Sequence, residues 1–245
     1  MSEQNSISVI IPSLNEEAHL EDTVNTVESA AARHFDDYEL ILVNDGSTDG
    51  TAEVAEGIKR RHRNIIVIHH ETPRSLGGCF RSGLARASMY YVTRINGKFD
   101  TTPEALDIIW TLKGKADMIV PFPLNERERH WSRRFISHLF IRALNTLFGQ
   151  QISYYNHYVL HRRADLQGLQ IRTDSYAFQA EILLKLIRTG HSFVEVGHWD
   201  KLDNEGATKA FKPRNLWGVA VFFWWIIYDL HLSRRYRRGA SRVAD

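Results

Sequence analysis

The stretch from Glu39 to Thr51 constrains this chain more than any other. Glu39 to Val43 is a short run dominated by Leu, Ile and Val, as expected for a strand buried inside a parallel sheet. Asp45 and Gly46 follow as turn residues. Ser47, Thr48 and Asp49 are good N-cap types, and Ala52 to Arg61 continues with helix formers. The turn therefore falls at the carboxyl end of a strand, the edge where open α/β sheets bind ligands. There the Asp45 carboxylate is expected to be free to accept hydrogen bonds from a base or ribose. The alternative, that Asp45 only shapes the turn, stays open, because Asp is common in turns for local reasons.

An earlier segment repeats this geometry. Ser8 to Ile11 is a buried apolar run that ends at Pro12, Ser13, Leu14, Asn15, Glu16 and Glu17, and a helical pattern follows through Leu20, Val24 and Val27. Two strand–loop–helix units with polar residues at the strand exits make a nucleotide-binding half-sheet. The segments Ile10–Glu17 and Val43–Thr51 together resemble the opening signatures of family 2 glycosyltransferases, inverting enzymes of GT-A fold. Within that family the chain looks most like the dolichol-phosphate mannose synthase-like, polyprenyl-phosphate branch. The resemblance runs from about Ser6 to about Lys209.

It implies an α/β fold with a mixed, mostly parallel sheet flanked by helices. A GT-A domain would occupy residues 1–212, and a C-terminal apolar, amphipathic helix with a basic tail residues 213–245. It also implies a nucleoside-diphosphate sugar as donor and a lipid phosphate as acceptor. Pro12, Leu14 and Glu16 would line the nucleotide with Asp45. Helix-start electrostatics is the competing reading for Glu16 and Glu17.

Asn64 to His69 reads as a third strand. Gly77 and Gly78, ahead of a helix over Cys79–Ser88, would let the backbone approach a ligand, with helix-start amides facing a phosphate. Arg74 and Arg81 are candidate diphosphate partners, since the guanidinium fork suits phosphate oxygens; plain surface charge is the alternative for both.

Tyr90 to Ile95 reads as a fourth strand, and Thr102, Pro103 and Glu104 open a helix to about Lys113. The family carries an acidic metal motif after this strand, two aspartates separated by one residue, which holds Mg²⁺ or Mn²⁺ against the departing diphosphate. Aligned back from Pro103 and Glu104, those aspartates fall on Asn96 and Lys98. Three readings stay open. Lys98 supplies the positive charge itself and no metal is needed; Asp100 carries Mg²⁺ or Mn²⁺ from a shifted position; or the chain binds without transferring. The first is preferred.

Ala116 to Phe122 reads as a fifth strand. Residues 129–149 form a basic amphipathic helix, with Trp131, Phe135 and Leu139 on its apolar side and Arg133, Arg134 and Arg142 adding charge. Such a helix either lies in a membrane interface or packs on the core with a solvated face. Around Asn156, His157 and Tyr158 the chain departs from the family's acceptor-side segment. His157 and His161 are candidates for acceptor contact or general base work; either could equally be a core histidine, the reading preferred for His161. A helix from Asp174 to Arg188, with Asp174 as its N-cap, would carry Glu181 toward the acceptor. Phe193 to Val196 is a late strand. The loop from Asp203 to Lys209 resembles a family loop that closes over the nucleotide, making Lys209 a candidate phosphate contact. Leu216 to Tyr228, with its tryptophans, and the cationic run from Arg234 to Arg238 read as a peripheral anchor or an oligomer contact.

The 245 residues suit one large α/β domain. A formal net charge of +2 gives no argument for nucleic acid. Cys79 is the one cysteine, so no intrachain disulfide forms and a reducing compartment fits. Without a signal-peptide pattern or an apolar run of about 20 residues, the expected location is cytoplasmic, at the cytoplasmic face of a membrane if the anchor reading holds. A homo-oligomer is compatible with all of this.

Overall fold

Both faces of the sheet are read directly from β1. Ile7, Val9 and Ile11 point to one side and Ile10 to the other, and all four are fully buried. Side chains alternate along a strand, so a continuous apolar run needs a hydrophobic layer on each face. The computed structural model, which describes residues 4–201, 213–232 and 236, supplies both layers.

The strands are β1 (Ser6–Ser13), β2 (Asp37–Asn44), β3 (Ile65–His69), β4 (Tyr91–Arg94), β5 (Met118–Pro123), β6 (Leu160–Arg162) and β7 (Phe193–His198). They form one sheet in the order β3-β2-β1-β4-β6-β5-β7. The β1–β2, β2–β3, β1–β4 and β5–β7 pairs are parallel; β6 runs antiparallel to both β4 and β5. The expected mixed, mostly parallel sheet is thus observed. β6 has only three residues, too few for its periodicity to stand out in the sequence.

Helices α1 (Leu20–His34), α2 (Thr51–Arg61) and α4 (Pro103–Thr111) cover one face, where Leu20, Val24, Ile58, Leu106 and Trp110 are buried. Helices α3 (Ser75–Leu84), α5 (Trp131–Phe148) and α7 (Phe178–Arg188) cover the other. Helix α6 (Arg163–Leu166) is a single turn. The start of α4 is as read from sequence: the Thr102 hydroxyl accepts from the amide of Ala105, and Pro103 fills a first-turn position.

Helix α8 (Pro213–Ile227) runs into a π-helical turn at Tyr228–Leu232. Phe222, Ile226 and Leu230 are buried in the same cluster as Ile182 and Leu183 of α7. A fully buried ammonium pins this helix. Lys185 Nζ donates to Glu181 Oε1 (2.6 Å) and the carbonyl of Gln170 (2.7 Å), and forms an ion pair with Asp229 Oδ2 (2.6 Å). Two hydrogen bonds and two carboxylates around it meet the condition for keeping a charge inside. The segment expected to be a peripheral anchor therefore also carries core side chains, although Trp224 is 71% exposed. The proposed boundary between residues 212 and 213 borders residues outside those described. Among the described residues no helix is long and apolar enough to cross a membrane.

Candidate active site

The carboxyl ends of β1, β2 and β4 bring three loops together. The first two are stitched to each other by the residues that make their sequences recognisable. The amide of Asn15 donates to Ser47 Oγ (3.0 Å), and Asn15 Oδ1 accepts from the amide of Thr48 (2.9 Å). The amide of Glu16 donates to Thr51 Oγ1 (2.8 Å), and Glu17 Oε2 accepts from the amide of Gly50 (2.9 Å). Asn15 itself takes a left-handed conformation, φ 57°, which Asn tolerates better than most residues. Much of the polar signature thus satisfies backbone groups where two strands end. The third loop docks on the first: the amide of Gly97 donates to the carbonyl of Pro12 (2.9 Å), and Thr23 Oγ1 donates to the carbonyl of Gly97 (2.7 Å). A Cβ at Gly97 would lie 2.3 Å from Ser13 Oγ, so only glycine permits this approach.

Several expected ligand contacts are committed elsewhere. Asp45 is buried, and its carboxylate is not free. Oδ1 accepts from His70 Nδ1 (2.8 Å) and the amide of Arg74 (2.8 Å), and Oδ2 from the amide of Ser75 (2.9 Å). These amides open α3, so the anion that the helix start was expected to attract is Asp45 itself. His70 Nε2 is hydrogen-bonded in turn to Ser82 Oγ (2.9 Å). Burial and the neighbouring Asp45 carboxylate push the Cys79 thiol well up. Gly77 and Gly78 lie inside α3, which starts at Ser75 and not Cys79. A Cβ at Gly77 would strike the carbonyl of Thr173 at 2.1 Å, and one at Gly78 would lie 2.6 Å from Arg74 Cβ. The close approach they permit is to protein, not to a ligand. Arg81 pairs with Asp174 and reaches the carbonyl of Thr173 (3.4 Å). Asp174 is accordingly not the cap of α7, whose N-cap position is Ala177.

Glu181 is also turned inward. Besides Lys185 it accepts from the amides of Arg172 (2.9 Å) and Thr173 (2.8 Å), and it is 2% exposed. It fastens the segment before α7. His161 is the core histidine expected: fully buried in β6, it receives a hydrogen bond from Gln179 Nε2 (2.9 Å), and burial lowers its pKa to about 3.

Four predicted residues do gather at the strand exits. Pro12, next to last in β1, is buried, Leu14 is 46% exposed just beyond the strand, and Glu16 and Lys98 are half-buried. Burial raises the Glu16 pKa, while the charges of His19 and Lys98 hold it down, so the Lys98 ammonium lies within electrostatic reach of Glu16. Asp100 sits deeper. Its Oδ2 accepts from Asn96 Nδ2 (2.9 Å), and burial pushes its carboxyl up against the pull of Asn96 and Arg94. Arg94 is buried, hydrogen-bonded to Asn96, and stacked at 5.2 Å over the ring of Tyr158. Lys209 lies outside the described residues.

The sequence reading missed the neighbouring cluster. His157 was expected to face an acceptor, but it is 6% exposed and meets His198 and Asp200. Burial lowers its pKa to about 4, so it is neutral at pH 7. Arg129 Nη2 donates to Asp200 Oδ2 (2.6 Å). Contact with His157 and His198 holds the Asp200 carboxyl far below the usual range, against the upward push of burial. The i, i+2 spacing of His198 and Asp200 at the end of a strand was the only local signal.

The family model described as Glycosyl transferase family 2 matches residues 8–152. An uncharacterized glycosyltransferase, EpsJ, of Bacillus subtilis (strain 168) is 32% identical over 91 residues, which are 37% of this chain and 25% of that protein. Undecaprenyl-phosphate 4-deoxy-4-formamido-L-arabinose transferase of Aeromonas hydrophila is 22% identical over 200 residues, 81% of this chain and 61% of that protein. The chain thus spans between a quarter and about three fifths of these relatives. Among solved structures, glucosyl-3-phosphoglycerate synthase of Mycobacterium tuberculosis in complex with UDP superposes with a TM-score of 0.70 at 18% identity, covering 91% of this chain and 80% of that one. The same enzyme with Mn²⁺, UDP and phosphoglyceric acid gives 0.68 at 20%, covering 91% and 78%. The sheet and its helical layers are therefore of GT-A type.

The exit of β4 in this chain offers the carboxylate of Asp100, beside the buried guanidinium of Arg94. Burial favours the neutral form of the Asp100 carboxyl, an unfavourable start for a divalent ion of the kind in that Mn²⁺ complex.

Proposed function

Because the chain belongs to glycosyl transferase family 2, whose model spans residues 8–152 of 245, we propose that it moves a sugar, with inversion, from a nucleoside diphosphate to a polyprenyl phosphate or another membrane-associated acceptor. An acceptor oxygen attacks the anomeric carbon. The bond from that carbon to the diphosphate oxygen breaks, and its electron pair leaves with the nucleoside diphosphate. A lipid phosphate is already an anion and needs no strong base. That suits a site whose candidate base, His157, is committed to Asp200 and His198.

One observation supports this reading: Lys98, placed by the family resemblance at an aspartate position, is half-buried and its charge is felt by Glu16. In this proposal its ammonium meets the charge that develops on the leaving diphosphate. Pro12, Leu14 and Glu16 hold the nucleoside, and Asp45 fixes the loop shape beneath it. A membrane-associated acceptor is supported by α5. Trp131, Phe135 and Leu139 recur every fourth residue and are 69%, 62% and 59% exposed. Arg142, three residues beyond Leu139, is exposed on the same side, and Arg127 is exposed ahead of the helix. An apolar stripe edged with cations is the pattern of a helix lying in a lipid interface.

The test is Lys98→Ala assayed without added Mg²⁺ or Mn²⁺. Turnover should fall about 10²- to 10³-fold, the loss seen when one preorganised charge-stabilising donor is removed, while UDP affinity, measured by calorimetry, changes far less. Equal losses in turnover and UDP affinity would reject the assignment. A wild-type enzyme inactive until Mg²⁺ or Mn²⁺ is added would reject it too.

A further inference from the structure

His157, His198 and Asp200 come from two separate segments and meet at the same edge of the sheet. His198 is the last residue of β7, Asp200 follows two residues later, and His157 precedes the antiparallel β6. Asn125 locks the Asp200 backbone: Nδ2 donates to its carbonyl (3.0 Å) and Oδ1 accepts from its amide (3.1 Å). All three side chains are almost completely buried.

Their three inner atoms form a small triangle. His198 Nε2 lies 2.9 Å from His157 Nε2 and 2.9 Å from Asp200 Oδ1, and His157 Nε2 lies 3.2 Å from the same oxygen. Hydrogen bonding alone does not account for this. An imidazole nitrogen has one in-plane direction and offers there either one proton or one lone pair. Protons on both Nε2 atoms would face each other at 2.9 Å; a proton on only one leaves the other nitrogen's lone pair turned toward the carboxylate. The Asp45–His70 pair shows the contrast. There each ring nitrogen has its own partner, Asp45 on one side and Ser82 on the other, and every contact has its proton.

A cation resolves the conflict, because all three atoms can then offer lone pairs to one point. From these edges the triangle has a circumradius of about 1.7 Å, so an ion with bonds of about 2.0–2.1 Å sits roughly 1 Å above its plane. Three ligands of this kind leave a coordination position open. Arg129 on Asp200 Oδ2 leaves Oδ1 for the ion and holds the carboxylate in place.

We infer that His157, His198 and Asp200 bind a divalent transition-metal ion of the Zn²⁺ class, with two imidazole nitrogens and one carboxylate oxygen as ligands. The site adjoins the loop after β4, where Asp200 bridges Thr101 and its charge is felt by Asp100, but its three ligands are different residues, and its existence does not depend on the transferase reading. With Nε2 on the metal, each ring proton moves to Nδ1. Both Nδ1 atoms are buried without a hydrogen-bond partner among the described residues. Lacking that outer support, the site should bind about 10- to 100-fold more weakly than one that has it.

The experiment uses the full chain, stripped with a chelator, dialysed and titrated with Co²⁺ alone while visible absorption is recorded. The expected result is one equivalent of Co²⁺ with d–d bands that Zn²⁺ bleaches, together with a Zn²⁺-dependent rise in melting temperature. His198→Gln and Asp200→Asn should each weaken Co²⁺ binding at least about 100-fold, since each removes one of three ligands. The wild-type titration decides the matter even if a variant fails to fold. Three outcomes overturn the inference: no saturable Co²⁺ band and no Zn²⁺ shift, binding unchanged in both variants, or an intense thiolate-to-cobalt charge-transfer band, which would move the ion to Cys79. Loss of sugar transfer would leave this result untouched.

Discussion

Asp45→Asn separates two jobs that one carboxylate can do. In the structure it accepts from the amides of Arg74 and Ser75 and from His70 at 2.8–2.9 Å, with 4% of the residue exposed. An amide keeps one acceptor oxygen. If that oxygen stays with Arg74 and His70, the new NH₂ faces the N–H of Ser75; if it turns, the NH₂ faces the N–H of Arg74. Either way a buried backbone donor loses its acceptor, which costs about 1–3 kcal/mol. The negative charge at the start of α3 goes as well, worth about 0.3–1 kcal/mol and up to ~2 when partly buried. Together these come to roughly 2–4 kcal/mol, a large part of a total stability on the order of 5–15 kcal/mol. For a chain of this size each kcal/mol lowers the melting temperature by about 2–4 °C, so a drop of roughly 5–15 °C is expected. Thermal unfolding followed by far-UV circular dichroism, with and without UDP, measures it. A variant that melts within about 2 °C of wild type but no longer binds UDP would refute the reasoning. The carboxylate would then serve a ligand and not the helix.

Lys185→Met leaves Glu181 and Asp229 buried without the ammonium between them and should cost about 3–5 kcal/mol in urea unfolding; a loss under about 1 kcal/mol would mean that α8 is not held through this pair. His161 is fully buried with its pKa lowered to about 3 by burial. The unfolded chain therefore takes up a proton below about pH 6.5 that the folded chain refuses until about pH 3. Its contribution to stability is complete above pH 6.5 and falls as pH drops through that window, by up to about 1.4 kcal/mol per pH unit. His161→Gln should flatten the acid limb of a pH–stability curve, and an unchanged limb would contradict the assignment. Trp131→Ala with Phe135→Ala removes two side chains that are 69% and 62% exposed. Melting should move little, while sedimentation with vesicles rich in anionic lipid should fall at least about tenfold; equal sedimentation of both proteins would exclude α5 as the contact.

What could be read from the chain alone was whatever near neighbours decide. A strand buried on both faces is largely apolar, and β1, β2 and β5 announced themselves that way, while β3, β4 and β7 were legible as shorter apolar stretches. The start of α4 was legible because Thr102 and Pro103 act on amides within one turn. The loop signatures were legible because the ends of two parallel strands impose the same polar needs wherever such strands meet. Tertiary structure decided where each charge found its partner. Asp45 satisfies a helix that begins 30 residues later, shown by its bond to Ser75. Glu181 turns inward because Lys185 and the amides before α7 are there to receive it. His157 reaches His198 and Asp200 only because a three-residue antiparallel strand returns the chain between β4 and β5. Periodicity and capping act over a few residues, and a buried charge is settled by whatever the packed chain brings within about 3 Å of it.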